Sequence, residues 1–197
     1  MSEQPIDHGR RIQEALAKEK SARDAAWMNV PARICGLECV QMTMRHYLML
    51  DAVDSPFVRG GLPTPEQLAQ FLWIVSPSFT PDEGEALKFA KEIGKLPFTQ
   101  AVKESLDYVE TTFLDAPQGS GKGDEGPSFY SWVTSLIDAL ASEYGWHPFE
   151  VLEMPLRQVF QLLRAMRKRH DPKCGMINSL SDRAKLDYLE SLKKKAA

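Results

Sequence analysis

Three groups of residues in this sequence have types and spacings that could do chemistry, and each is weighed here against a plainer reading. Cys35-x-x-x-Cys39 is followed by His46. Thiolates and an imidazole bind zinc, but zinc sites use closer cysteine pairs and a second pair of ligands. The remaining candidates, His170 and Cys174, lie far off in the chain. Read as helix, Cys35 and Cys39 are one turn apart and pack as small apolar residues. A cysteine–histidine nucleophile with His8, His46, His147 or His170 needs a base in reach and an oxyanion hole. No local stretch builds either, and His147 before Pro148 reads as a helix cap. Gly119-Ser120-Gly121-Lys122 invites a phosphate-loop reading, yet Ala116 stands where a Walker loop needs its first glycine. Gly123 stands where it needs Ser or Thr. We therefore expect no catalytic residue, no metal ligand set and no cofactor, and a chain that is not an enzyme.

Two surface features carry more weight. Arg157, Arg164, Arg167, Lys168 and Arg169 occur with no acidic residue between Pro155 and His170. Such a basic patch suits phosphate contacts, and helix-turn-helix modules read DNA in this way. Basic residues in a last turn also complement the helix dipole. The Tyr144–Pro155 connection is longer than the turn such modules use, so nucleic acid is not the favoured partner. Several of Trp27, Trp73, Trp146, Met28, Met42 and Met49 fall off the main apolar stripes. Large apolar side chains of this kind suit adaptable protein contacts, or close a second face of a bundle.

The elements that must hold these residues read as helices. Phe129, Trp132, Val133, Leu136, Ile137, Leu140 and Tyr144 share one helical face. Pro127 and Ser128 can start that helix, and Gly145 can end it in the left-handed conformation. His147-Pro148 opens a short turn, and Pro155 opens a third helix with Leu156, Val159, Phe160, Leu163 and Met166 on one side. Together these predict a helical hairpin over 128–170. Upstream, Gly36 to about Ala52 shows a helical pattern through Leu37, Val40, Met44, Tyr47 and Leu48. Ser55-Pro56 and Gly60-Gly61 mark a loop. Thr64-Pro65-Glu66-Gln67 is a capping box before Leu68, Phe71, Leu72 and Val75. Thr80-Pro81-Asp82-Glu83 repeats the signal before Ala86, Phe89, Ala90 and Ile93. A further helix runs from Pro97 to about Leu114, with Glu104, Asp107 and Glu110 on its outer face. No strand alternation of useful length is visible, so the predicted class is all-α, a compact multi-helix bundle.

The chain has 197 residues, 43% hydrophobic and 26% charged, with a net charge of -3. That supports one domain with a sizeable core. It argues against a chain-wide nucleic-acid or membrane surface. Residues 1–26 read as a mobile, partly helical arm and 27–115 as a helical subdomain. A glycine-rich linker at 116–127 leads to the hairpin, and 171–197 reads as a loose tail with a short helix. Three cysteines, an apolar-poor start and no long apolar run predict a cytoplasmic protein without a membrane span.

Gly60-Gly61 followed by Phe71-Leu72-Trp73-Ile74-Val75-Ser76-Pro77, and Tyr144-Gly145-Trp146-His147-Pro148 followed by Met154-Pro155-Leu156, resemble small helical proteins of tailed phages and prophages. They are similar to the tail assembly chaperones encoded between the tail-tube and tape-measure proteins. The resemblance covers Val30 to His170. It implies a non-enzymatic protein that binds tape-measure and tail-tube subunits in the host bacterial cytoplasm and is absent from the finished particle. It carries no active-site residue. The interaction positions it suggests are Trp73 and Trp146 with the neighbouring Met154. A phage structural or connector component, and a helix-turn-helix-like DNA-binding protein, are the alternatives.

Overall fold

The computed structural model describes residues 7–116, 131–172 and 180–196. Among the described residues the chain forms ten helices and one two-stranded sheet. The order is α1 (His8–Trp27), β1 (Ala32–Ile34), β2 (Leu37–Cys39), α2 (Met44–Ala52), α3 (Pro56–Arg59), α4 (Pro65–Ile74) and α5 (Glu83–Ile93). It continues through α6 (Phe98–Thr112), α7 (Trp132–Tyr144), α8 (Pro148–Glu153), α9 (Leu156–His170) and α10 (Leu180–Ala196). The class is mostly all-α. Helix starts follow local chemistry. The Thr64 hydroxyl accepts from the Gln67 N–H, and the Gln67 side chain accepts from the Thr64 N–H at 2.9 Å, with Pro65 in the first turn. Gly145 ends α7 at φ 67°, which costs glycine nothing. His147 and Glu150 form a reciprocal cap on α8.

Four readings are corrected. The helix expected from Gly36 begins only at Met44. Residues 32–39 instead form an antiparallel hairpin, with Ala32 opposite Cys39 and Ile34 opposite Leu37. The turn is Cys35-Gly36, both at positive φ (48° and 83°), the two-residue geometry that matches strand twist. Second, α5 is capped by Asp82, whose carboxylate accepts from the Glu85 N–H at 2.8 Å, and not by Thr80. A carboxylate one residue before the helix caps it directly and complements its dipole. Third, the loop between Ser55 and Gly60 contains the short helix α3. Fourth, α7 starts at Trp132 behind a Ser131 cap. Pro127, Ser128, Phe129, the linker at 117–127 and Cys174 lie outside the described residues.

One core joins the two halves of the chain. Phe71, Ile34, Met42, Met44, Leu50, Leu140, Leu156 and Phe160 are all fully buried within it. Each such side chain contributes about 1.5–3 kcal/mol by burial. A crossing of two strand-like pieces closes this core. Thr43 bridges Pro155, and the Leu156 N–H donates to the Met42 carbonyl at 2.8 Å. The Tyr108 hydroxyl donates to the Val40 carbonyl at 2.7 Å, which fixes α6 against the segment that follows the hairpin.

The helical hairpin expected over 128–170 is also corrected: within residues 132–170 the two long helices run in the same sense, because α8 returns the chain before α9 begins. Trp132 lies near Phe160 at the start of the pair, and Glu143 meets Arg169 and His170 at its end. The short α8 carries the chain back between them. Residues 1–26 contain most of α1, which lies antiparallel to α10. The Ser181 N–H and hydroxyl donate to the Glu19 carboxylate at 2.9 and 2.8 Å, and Arg11 pairs with Asp187 at 3.7 Å. Residues 180–196 are thus one helix of 17 residues, longer than the short helix expected in the tail.

Candidate functional site

The cysteine and histidine candidates are drawn apart by the hairpin. Cys35 sits in its turn, where its N–H donates to the Glu104 carboxylate at 2.5 Å. Cys39 ends β2, and burial pushes its thiol up to about 11, far from thiolate reactivity at neutral pH. His46 lies in the first turn of α2, where its Nδ1 accepts from the Thr43 N–H at 3.1 Å. The His46 N–H donates to the Thr43 hydroxyl in return at 3.3 Å. Burial holds the imidazole below its ordinary pKa, against the pull of Glu153. Its acceptor nitrogen is therefore engaged in a helix cap. Among the described residues no three His, Cys, Asp or Glu side chains come together as metal ligands.

The basic row does not make one surface. Arg157 is only 3% exposed, and its guanidinium pairs with Asp115 at 3.1 Å and donates to the Thr111 carbonyl at 2.7 Å. Arg164 shares Asp115 at 3.0 Å. Arg167 lines a separate, mostly apolar cavity of about 450 Å³ beside Trp132 and Phe160. Arg169 pairs with Glu143 and lies 5.5 Å from the centre of the Tyr144 ring. The Lys168 ammonium donates to the Pro172 carbonyl at 2.5 Å. Asp115 holds two of these five residues, and nothing in its local sequence marks it for that role. Its partners come from a helix far along the chain.

The aromatic candidates are also dispersed. Trp73 is half-buried between Phe89 at 5.1 Å and Phe79 at 5.7 Å, where it seals α4 against α5. Trp146 stacks on Tyr144 at 4.6 Å. Trp146 and Met154 are both half-buried against the core. Met42 is fully buried and closes the core rather than offering a contact.

The open apolar surface is elsewhere. Met28 is 75% exposed, Trp27 50% and Val30 46%. These residues follow one another at the end of α1, where Asn29 takes a positive φ of 50° and turns the chain toward β1. Such a turn lets neighbouring side chains share one face. The Trp27 indole N–H donates to the Gln161 side-chain carbonyl at 2.6 Å, which holds the ring in place before anything binds. The Gln158 amide donates to the Ala26 carbonyl at 2.6 Å and anchors the helix end beneath it.

Beside these residues are two open cavities, one lined in part by Val30 and the other in part by Asn29. One, of about 480 Å³, lies between α1, β1 and α6 and is lined by Ala22, Ala25, Val30, Arg33, Asp107 and Tyr108 among others. The other, of about 530 Å³, is more polar and is lined by Asn29, Gln41, His46, Ser76, Phe79 and Glu153 among others. Gln41 belongs to both, and its amide donates to the Val30 carbonyl at 2.5 Å. Trp27 and Met28 were legible as off-stripe residues. Their grouping with Val30 was not, because it depends on the turn at Asn29.

No protein-family model, no curated protein and no solved structure matches the chain. No helix among the described residues is long and apolar enough to cross a membrane.

Proposed function

We propose that this protein is a non-catalytic binding protein that acts as a phage tail assembly chaperone. In this reading it covers apolar segments of the tape-measure protein, and of the tail-tube protein, before they assemble. The observation that carries the reading is the exposure of Trp27, Met28 and Val30 in succession, with Val30 lining one open cavity and Asn29 another. A surface of exposed, adaptable apolar side chains beside grooves suits helix-in-groove capture. The burial of Cys39 and the commitment of His46 to a cap favour binding over catalysis. The dispersal of the basic row favours a protein partner over a duplex.

Co-expression with a tape-measure protein tests the proposal. The chain is expected to co-purify with it and to raise its soluble fraction. Met28→Asp should abolish co-purification while leaving the far-UV circular dichroism of the chain unchanged, because Met28 is exposed. No co-purification and no gain in tape-measure solubility would remove the reading. Retention of the protein in purified particles would replace it with the connector alternative.

A further inference from the structure

A further cavity, of about 300 Å³, lies where α1, α9 and the turn after α6 meet. It is lined by Glu19, Arg23, Asp115, Arg157, Gln161 and Arg164. Three guanidinium groups therefore face two carboxylates. The Glu19 carboxylate is turned to Ser181 on α10, whose N–H and hydroxyl donate to it at 2.9 and 2.8 Å. The Asp115 carboxylate is saturated. It accepts from Gln161 at 2.9 Å, pairs with Arg157 at 3.1 Å and pairs with Arg164 at 3.0 Å.

Donor capacity is left over. The Arg157 Nε is buried and has no hydrogen-bond partner. An orphaned donor on a buried charged side chain is costly to leave unpaired. Arg164 spends one Nη on Asp115, and its side chain is 27% exposed. Arg23 reaches the cavity from α1 while bonding Asp24 at 3.2 Å. Burial pulls the Arg157 pKa below the usual arginine value despite Asp115 and Glu19. Arg23 and Arg164 add to the lowering to a lesser degree.

We infer that this cavity binds a phosphate group. Guanidinium forks are matched to phosphate oxygens and hold them by charge-assisted, often paired hydrogen bonds. Donors arriving from two helices meet a tetrahedral anion, with oxygens in several directions, better than a planar carboxylate. The depth of Arg157 excludes a nucleic-acid backbone and favours a small phosphate-bearing ligand. The bound group draws on the remaining donors of Arg164 and Arg23 and ties α1 to α9. Gln161 links the site to Trp27, but neither Trp27, Met28 nor Val30 lines it, and its failure leaves the chaperone reading untouched.

Inorganic phosphate is the probe, titrated calorimetrically into the full chain against sodium chloride and sodium acetate at matched ionic strength. Phosphate should bind saturably at one site and raise Tm by about 3–5 °C. Chloride and acetate should do neither. Arg164→Gln should weaken phosphate binding about tenfold. Arg23→Gln, at a half-exposed side chain and so safe for folding, should weaken it by a smaller factor. Equal shifts with chloride would overturn the site, and so would unchanged affinity in both variants. An acetate shift as large as that of phosphate would overturn the choice of a tetrahedral anion.

Discussion

Two helices of this protein begin with a threonine-led reciprocal cap, and the two caps live in different surroundings. At the start of α4, Thr64 and Gln67 exchange hydrogen bonds at the surface. At the start of α2, Thr43 and His46 exchange the same bonds beside the closure of the core. The Thr43 residue is 8% exposed and is bridged to Pro155, and its neighbour Met42 receives the Leu156 N–H. The comparison teaches that a local signal has a size set by what stands behind it. The α4 cap organises one helix. The α2 cap also holds the place where the two halves of the chain meet, and its partner is titratable.

The sharpest way to break the comparison is at the residues next to each cap. Leu156→Ala removes a fully buried side chain at the crossing and should cost about 3 kcal/mol in urea unfolding. Leu62→Ala, beside the α4 cap and 94% exposed, should stay within about 0.5 kcal/mol. Similar costs at both would show that the crossing is no special closure. At the caps themselves, Thr43→Ala should cost about 1–2 kcal/mol and Thr64→Ala about 0.5–1 kcal/mol. The buried position leaves the His46 N–H without its hydroxyl acceptor, whereas water repairs the exposed one.

A smaller effect separates the caps by pH. Neutral His46 accepts from the Thr43 N–H, and burial lowers its pKa in the folded chain. The unfolded chain takes up a proton near about pH 6.5. The stability given by this cap is therefore whole above that pH and is lost as pH falls below it toward the lowered folded value. Glu153 on α8 opposes the shift and Arg45 on α2 adds to it. His46→Gln keeps an acceptor but removes the titration, and should flatten the unfolding free energy between about pH 5 and pH 7. Gln67→His should introduce little slope, because that site is exposed. A wild-type chain with no slope in this window would refute the assignment of His46 as the cap acceptor.

The same contrast explains what could be read in advance. Caps, breaks and stripes act within a few residues, so α4, the Gly145 stop, α8 and the buried face of α9 were legible. The hairpin over 32–39 was not. Its strands have three residues each, too few for alternation to show, while Leu37, Val40 and Met44 happen to fall at helical spacing. The Thr80 start misled because Asp82 offers a closer carboxylate. Of the site, Trp27 and Met28 stood out as unclaimed by any stripe. The fate of Arg157 could not be read, since its burial depends on Asp115 and on the Glu19 carbonyl, both far away in the chain. Basic residues spaced along one helix look alike in sequence whether they face water or a buried acid.

The bond from Leu156 to Met42 also sets an order on synthesis. Residues near Met42 leave the ribosome long before α9 does, and until α9 arrives Met42 and Met44 have no lid. The nascent chain therefore carries an unfinished, sticky floor through most of its translation, and the last part of the core to be made is the part that shuts it.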